Sequence, residues 1–115
     1  HEDPDHLTLA LAPGCAVLHS AWPVAAILGA HRDGKPSLAE VGGMLRAAVA
    51  QDVLVWRCGL RPEVREAVAG EVGTLRALLD GASLGVALER APALDFAQWL
   101  PMAVQTGLVL AVVPA

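Results

Sequence analysis

The sequence predicts an α+β domain: a small antiparallel sheet packed with helices, its C-terminal part winged-helix-like. Three observations carry this. Leu7, Leu9 and Leu11 alternate with Thr8, Ala10 and Ala12, a period of two that marks a strand. Residues 53–58, VLVWRC, are a β-branched run of the kind found in a central strand. Residues 71–113 then read helix, turn, helix, turn, helix, strand, the order of a winged-helix unit.

The elements follow in order. HEDPDH, residues 1–6, is polar and reads as a frayed end or linker, leaving 7–115 as one domain. Pro13-Gly14 ends the first strand, and CAVLHS, residues 15–20, reads as a second extended piece. Trp22-Pro23 opens a short apolar helical turn that Gly29 ends, and HRDGKP, residues 31–36, reads as a polar loop. Ser37 with Glu40 matches a capping box, followed by Leu38, Val41, Leu45 and Val49 at helical spacing. After the 53–58 strand, Gly59 to Pro62 predicts a turn, and EVREAV, residues 63–68, a hairpin partner. Val72, Leu75, Leu78 and Leu79 mark one helical face ended by Gly81. Ser83 is placed to cap a helix carrying Leu84, Ala87, Leu88 and Ala91, and Pro92 stops it. Asp95 is placed to cap a third helix with Phe96, Trp99 and Leu100 inward, kinked at Pro101 and ended by Gly107. LVLAVV, residues 108–113, is an apolar strand closed by Pro114.

Composition narrows the function classes. The 115 residues are 55% apolar and only 17% charged, which fits either a composition biased toward Ala and Val or an apolar surface covered in part by a partner or by further chain. The net charge is −4, and the one lysine, Lys35, and seven arginines are scattered along the chain. Nucleic-acid binding relies on clustered cations, which argues against it here. The two cysteines, Cys15 and Cys58, lack metal-ligand spacing and read as buried small apolar residues of a cytoplasmic protein. No run reaches the roughly 18 apolar residues of a membrane span.

The search for chemistry is negative. His1, Asp3, Asp5 and His6 have metal-binding types but sit at a chain end, without the neighbours that orient ligands. His19 and His31 fall on different elements, and Ser20 beside His19 points to the opposite face of a strand. Ser37 and Ser83 are accounted for as caps, and no nucleophile elbow, zinc-protease, P-loop or dinucleotide motif occurs. No catalytic residue, metal ligand or cofactor site is expected in this chain. Trp22, Trp56 and Trp99 read first as packing residues, although tryptophan also anchors interfaces. The candidate partner- or peptide-binding residues are Trp22, Trp56, Arg57 and Arg65, the arginines suiting bidentate recognition of a carboxylate.

Four segments read together: LALAPGCAVLHSAWPVAAI, DVLVWRCGL, EVGTLRALLDGASLGVALERA and WLPMAVQTGLVLAVV. The most specific parts are S-x-W-P-V over Ser20 to Val24, V-L-V-x-R over Val53 to Arg57, and the leucine–glycine spacing from Leu75 to Leu84. Over residues 7–113 the chain resembles the C-terminal domain of the bacterial partner proteins of multinuclear non-haem iron oxidative enzymes. These were formerly labelled putative DNA-binding domain proteins, and the partner subunit of methanobactin biosynthesis is a relative. The resemblance implies the C-terminal domain of a longer protein that pairs with a TIM-barrel iron enzyme. The iron would sit in that enzyme, and the partner would help present a ribosomally made precursor peptide for cysteine modification. The competing expectation is a DNA-binding regulator using residues 71–113. It requires a cationic third helix, yet residues 95–106 contain neither Lys nor Arg.

Overall fold

The computed structural model describes residues 4–115. It is α+β, with two antiparallel sheets where the sequence suggested one. Strands β1 (Leu7–Leu11) and β5 (Val109–Pro114) pair as a two-stranded ribbon, Leu9 opposite Val112. Strands β2 (Ala16–Ser20), β3 (Gln51–Cys58) and β4 (Arg61–Glu66) form a three-stranded sheet with β3 central. Pro13-Gly14 redirects the chain from one sheet to the other, with Gly14 at φ +69°. Pro62 stands inside β4, an edge strand whose outer side needs no N–H.

The register assigns the sheet's two faces. Leu54 lies opposite both Val17 and Arg65, and Trp56 lies opposite Glu63, so these point one way. Leu54 and Trp56 join the main core with Leu75, Leu78, Trp99 and Leu108. That core lies between the sheet, the ribbon and three helices: α3 (Glu71–Leu79), α4 (Leu84–Arg90) and α5 (Phe96–Gln105). The opposite face carries Gln51, Val53, Val55 and Arg57, and meets α1 (Val24–Asp33), against which α2 (Leu38–Arg46) packs. There the Gln51 Oε1 accepts the N–H of Ala25 at 3.0 Å, closing an unpaired donor of α1's first turn.

The expected caps form. Ser37 and Glu40 exchange both bonds of the capping box, Ser83 Oγ accepts from Val86 N–H, and Asp95 Oδ1 accepts from Gln98 N–H. Other expectations shift. The helix opened by Pro23 runs through Gly29 to Asp33, so His31 to Asp33 are helical rather than loop. Gly29 serves close packing, not termination: a Cβ there would lie 2.5 Å from the Lys35 carbonyl oxygen. Helix α2 stops at Arg46, where Ala48 at φ +54° turns the chain, so Val49 lies outside it. The hairpin turn is only Gly59-Leu60, and Val68 falls beyond β4. On α3 the buried stripe is Glu71, Thr74, Leu75 and Leu78, while Leu79 faces solvent. Residues 4–6 of the segment expected to be frayed form a 3₁₀ turn packed on α4; residues 1–3 lie outside the described residues. The α3–α4–α5–β5 order matches the winged-helix expectation, but β5 pairs with β1 from the opposite end of the chain rather than with a neighbouring strand.

Candidate binding surface

The structure separates the four candidate binding residues into two pairs. Trp56 and Arg65 turn inward. Trp56 is 4% exposed, and its indole N–H donates to the Thr106 carbonyl at 3.1 Å. The Arg65 guanidinium stacks 5.6 Å from the centre of the Trp56 ring. Its Nη1 and Nη2 donate to the two carboxylate oxygens of Glu71 at 2.7 and 2.5 Å. These two residues are bonded and stacked into the interior, and both also line a shallow pocket with Cys58 and Thr106.

Glu71 is the hub of that interior, and it is fully buried. Besides Arg65, it accepts the Trp99 indole N–H on Oε2 at 2.5 Å and the Val68 N–H on Oε1 at 3.0 Å. Burial pushes its carboxyl upward. The donated bonds from Arg65, Trp99 and Val68, with the Arg65 charge, outweigh burial and hold it below its ordinary value. The sequence concealed this role. A glutamate at the start of a helix reads as a surface charge answering the helix dipole. Here Gly70 lets the residue turn inward. It holds φ +77° at the cap, and a Cβ on it would run into the Leu94 backbone. The same charge, after burial itself, raises the Cys15 thiol above its ordinary range, which makes that half-buried sulfur a poor nucleophile. Cys58 is exposed, contrary to the expectation of two buried cysteines, and both are free thiols.

Trp22 and Arg57 turn outward. Trp22 is 61% exposed at the bend between β2 and α1, its backbone N–H held by Ser20 Oγ at 3.1 Å. Arg57 lies on the outer face of the sheet, exposed and without an ion-pair or hydrogen-bond partner for its guanidinium among the described residues. Between them helices α1 and α2 leave the sheet partly open. Ala16, Val55 and Val64 lie side by side across all three strands and are each half-buried. Leu18, on the same face, is 50% exposed. A groove of about 450 Å³ continues the apolar strip between α1 and β4, bordered by Leu28, Pro62 and Val64. The ion pair Arg32–Glu63, at 3.7 Å, bridges helix and strand near its rim. Strand β2 pairs only with β3, and no strand pairs with its other edge among the described residues. A radius of gyration of 15.3 Å, against about 13 Å for a compact chain of this length, fits layers that do not fully cover one another.

His19 Nδ1 lies 2.6 Å from Asp52 Oδ1 across the sheet, a pair the register creates and sequence spacing did not reveal. Both side chains are open to solvent, and Ser20 is engaged with Trp22 rather than with His19. Among the described residues no three His, Cys, Asp or Glu side chains gather to hold a metal, and the terminal set His1, Asp3, Asp5 and His6 lies partly outside them. No helix among those residues is long and apolar enough to cross a membrane. Comparison of the chain with family models, with curated proteins and with solved structures finds no match.

Proposed function

We propose that this domain is a non-catalytic recognition subunit acting in the cytoplasm. It binds a TIM-barrel multinuclear iron oxidative enzyme and helps present a ribosomally made precursor peptide for cysteine modification. The observation that carries the binding role is the partly uncovered outer face of the three-stranded sheet. It offers an apolar row, an open strand edge, an exposed tryptophan at one end and an unpaired arginine at the other. An extended peptide added beside β2 would gain main-chain hydrogen bonds there. Leu18 and Trp22 would supply apolar contacts, and Arg57 would meet a carboxylate. The enzyme and peptide as partners rest on the sequence resemblance, and the iron belongs to the enzyme in this reading.

The test is co-expression with a TIM-barrel iron oxidative enzyme, followed by size-exclusion chromatography with and without precursor peptide. A co-eluting complex is expected. Leu18→Glu and Arg57→Glu should each weaken peptide binding about tenfold, corresponding to about 1.4 kcal/mol. Trp22 should report the peptide directly through a blue shift of its emission. Separate elution of enzyme and domain, with no peptide-dependent change at Trp22, would remove the proposal. Salt-dependent binding to duplex DNA would favour the regulator reading instead.

A further inference from the structure

Arg57 and Gly14 are neighbours at one end of the three-stranded sheet. The Arg57 N–H donates to the Pro13 carbonyl at 3.0 Å, which ties β3 to the turn that precedes β2. Gly14 leaves that turn without a side chain. A Cβ built there would lie 3.7 Å from both Cγ and Cδ of Arg57. The stem of Arg57 therefore leans over Gly14, toward β2 and away from Pro62, its partner on β4. A side chain longer than a methyl at position 14 would stand in that path, and φ +69° already favours glycine. Past Gly14 comes the open edge of β2, so the stem carries the guanidinium to where an added strand would run. That guanidinium has no ion-pair or hydrogen-bond partner among the described residues.

The edge beside it is regular. β2 keeps an unbroken register on β3 from Ala16 opposite Val55 to Ser20 opposite Gln51. Its outer face carries half-buried Ala16 and Leu18, which is 50% exposed. Same-face positions recur every second residue, at about 3.3 Å per residue. Leu18 and Gly14 are thus four residues apart, about 13 Å along the edge. We infer that the β2 edge selects an extended peptide that carries a large apolar side chain and a carboxylate four positions apart, on one face. The apolar side chain packs on Leu18, and the carboxylate meets the planar fork of Arg57. The residue midway between them passes over Ala16, whose small side chain leaves it room. This selection rests on the reading of the β2 edge as a peptide site, and adds what that site demands of its peptide.

Capped threonine–serine peptides of about nine residues test it, with leucine and aspartate four positions apart, or three apart, in either order. Binding is read by titration of the Ala16 to Ser20 amide signals in NMR correlation spectra. At least one four-apart peptide should bind about tenfold more tightly than both three-apart peptides, because a slip of one residue sends the carboxylate to the other face. Lysine in place of the aspartate should weaken binding by a similar factor, about tenfold. The Arg57→Glu variant should reverse that preference and take the lysine peptide. Arg57 is exposed, so this variant should keep the thermal midpoint of the unaltered protein. Peptides that move the β2 amides equally, whatever their spacing or charge, overturn the inference and leave the peptide edge standing. So does a folded Arg57→Glu variant that still prefers aspartate. No change at those amides with any peptide removes the peptide edge, and the inference with it.

Discussion

Glu71→Gln is the sharpest probe of this molecule. The glutamine keeps the shape of the glutamate and removes its charge. Four donors converge on the native carboxylate: two from Arg65, one from Trp99 and one from Val68. An amide offers one acceptor oxygen and an NH₂ group, so some of those donors would face another donor. Removing one partner of a buried ion pair costs about 3–5 kcal/mol. The Arg65 side chain keeps 23% of its surface exposed, so water relieves part of the orphaned charge and the lower end, about 3 kcal/mol, applies. A chain of this length has roughly 6–17 kcal/mol of total stability, so the loss is a large fraction of it. It should lower the midpoint of thermal unfolding by about 12 °C. Circular-dichroism melts and urea titrations measure both quantities. Adding Arg65→Met to Glu71→Gln should recover about 1 kcal/mol, because it removes the stranded cation. A loss below about 1 kcal/mol for Glu71→Gln, with no recovery in the double variant, would refute the claim that this carboxylate ties the layers together.

The same group sets an acid limit. Its carboxyl is held below the ordinary value of 4.5, so its contribution is fully present above that pH and is lost as pH falls through the lower folded value. Urea midpoints should drop below about pH 4.5, and the drop should be smaller in Glu71→Gln. Gly70→Ala should cost more than about 2 kcal/mol, since a Cβ meets both a left-handed backbone and the Leu94 main chain; a near-neutral effect on the thermal midpoint would contradict that close approach. Of the three tryptophans, Trp22 is 61% exposed and Trp56 and Trp99 are 4% and 3%. Trp22→Phe should therefore abolish most acrylamide-quenchable emission, and persistent quenching would mean that the tryptophans were wrongly sorted.

The parts of the fold legible in the sequence are those fixed by near neighbours. Ser37, Ser83 and Asp95 cap helices because the donors they satisfy lie three residues on. VLVWRC reads as a central strand because β-branched and aromatic residues suit a pleated, half-buried surface. What escaped depends on distant partners. Trp22 and Trp56 look alike until the register shows that Trp56 meets Thr106 while Trp22 stands at a bend. Arg65 reads as a surface arginine until Glu71 and Trp56 are placed around it. Gly29 reads as a stop because its close contact, Lys35, lies on the returning chain. Of the candidate site, the outward residues Trp22 and Arg57 were legible by type, but the apolar row joining them needed the pairing of three strands.

The β1–β5 ribbon carries a kinetic consequence. Its pairs, Leu7 with Pro114 and Thr8 with Val113, join opposite ends of the chain. Closing a flexible loop of about 100 residues costs on the order of 4 kcal/mol in chain entropy before any contact between the strands repays it. The β3–β4 hairpin closes across only Gly59 and Leu60 and faces no such barrier. We expect the hairpin to form early and the ribbon late, with mutations such as Leu9→Ala raising the unfolding rate more than they slow folding. Stopped-flow chevrons on Leu9→Ala and Val55→Ala would reveal the order, and a folding limb slowed more by the ribbon variant than by the hairpin variant would reverse it.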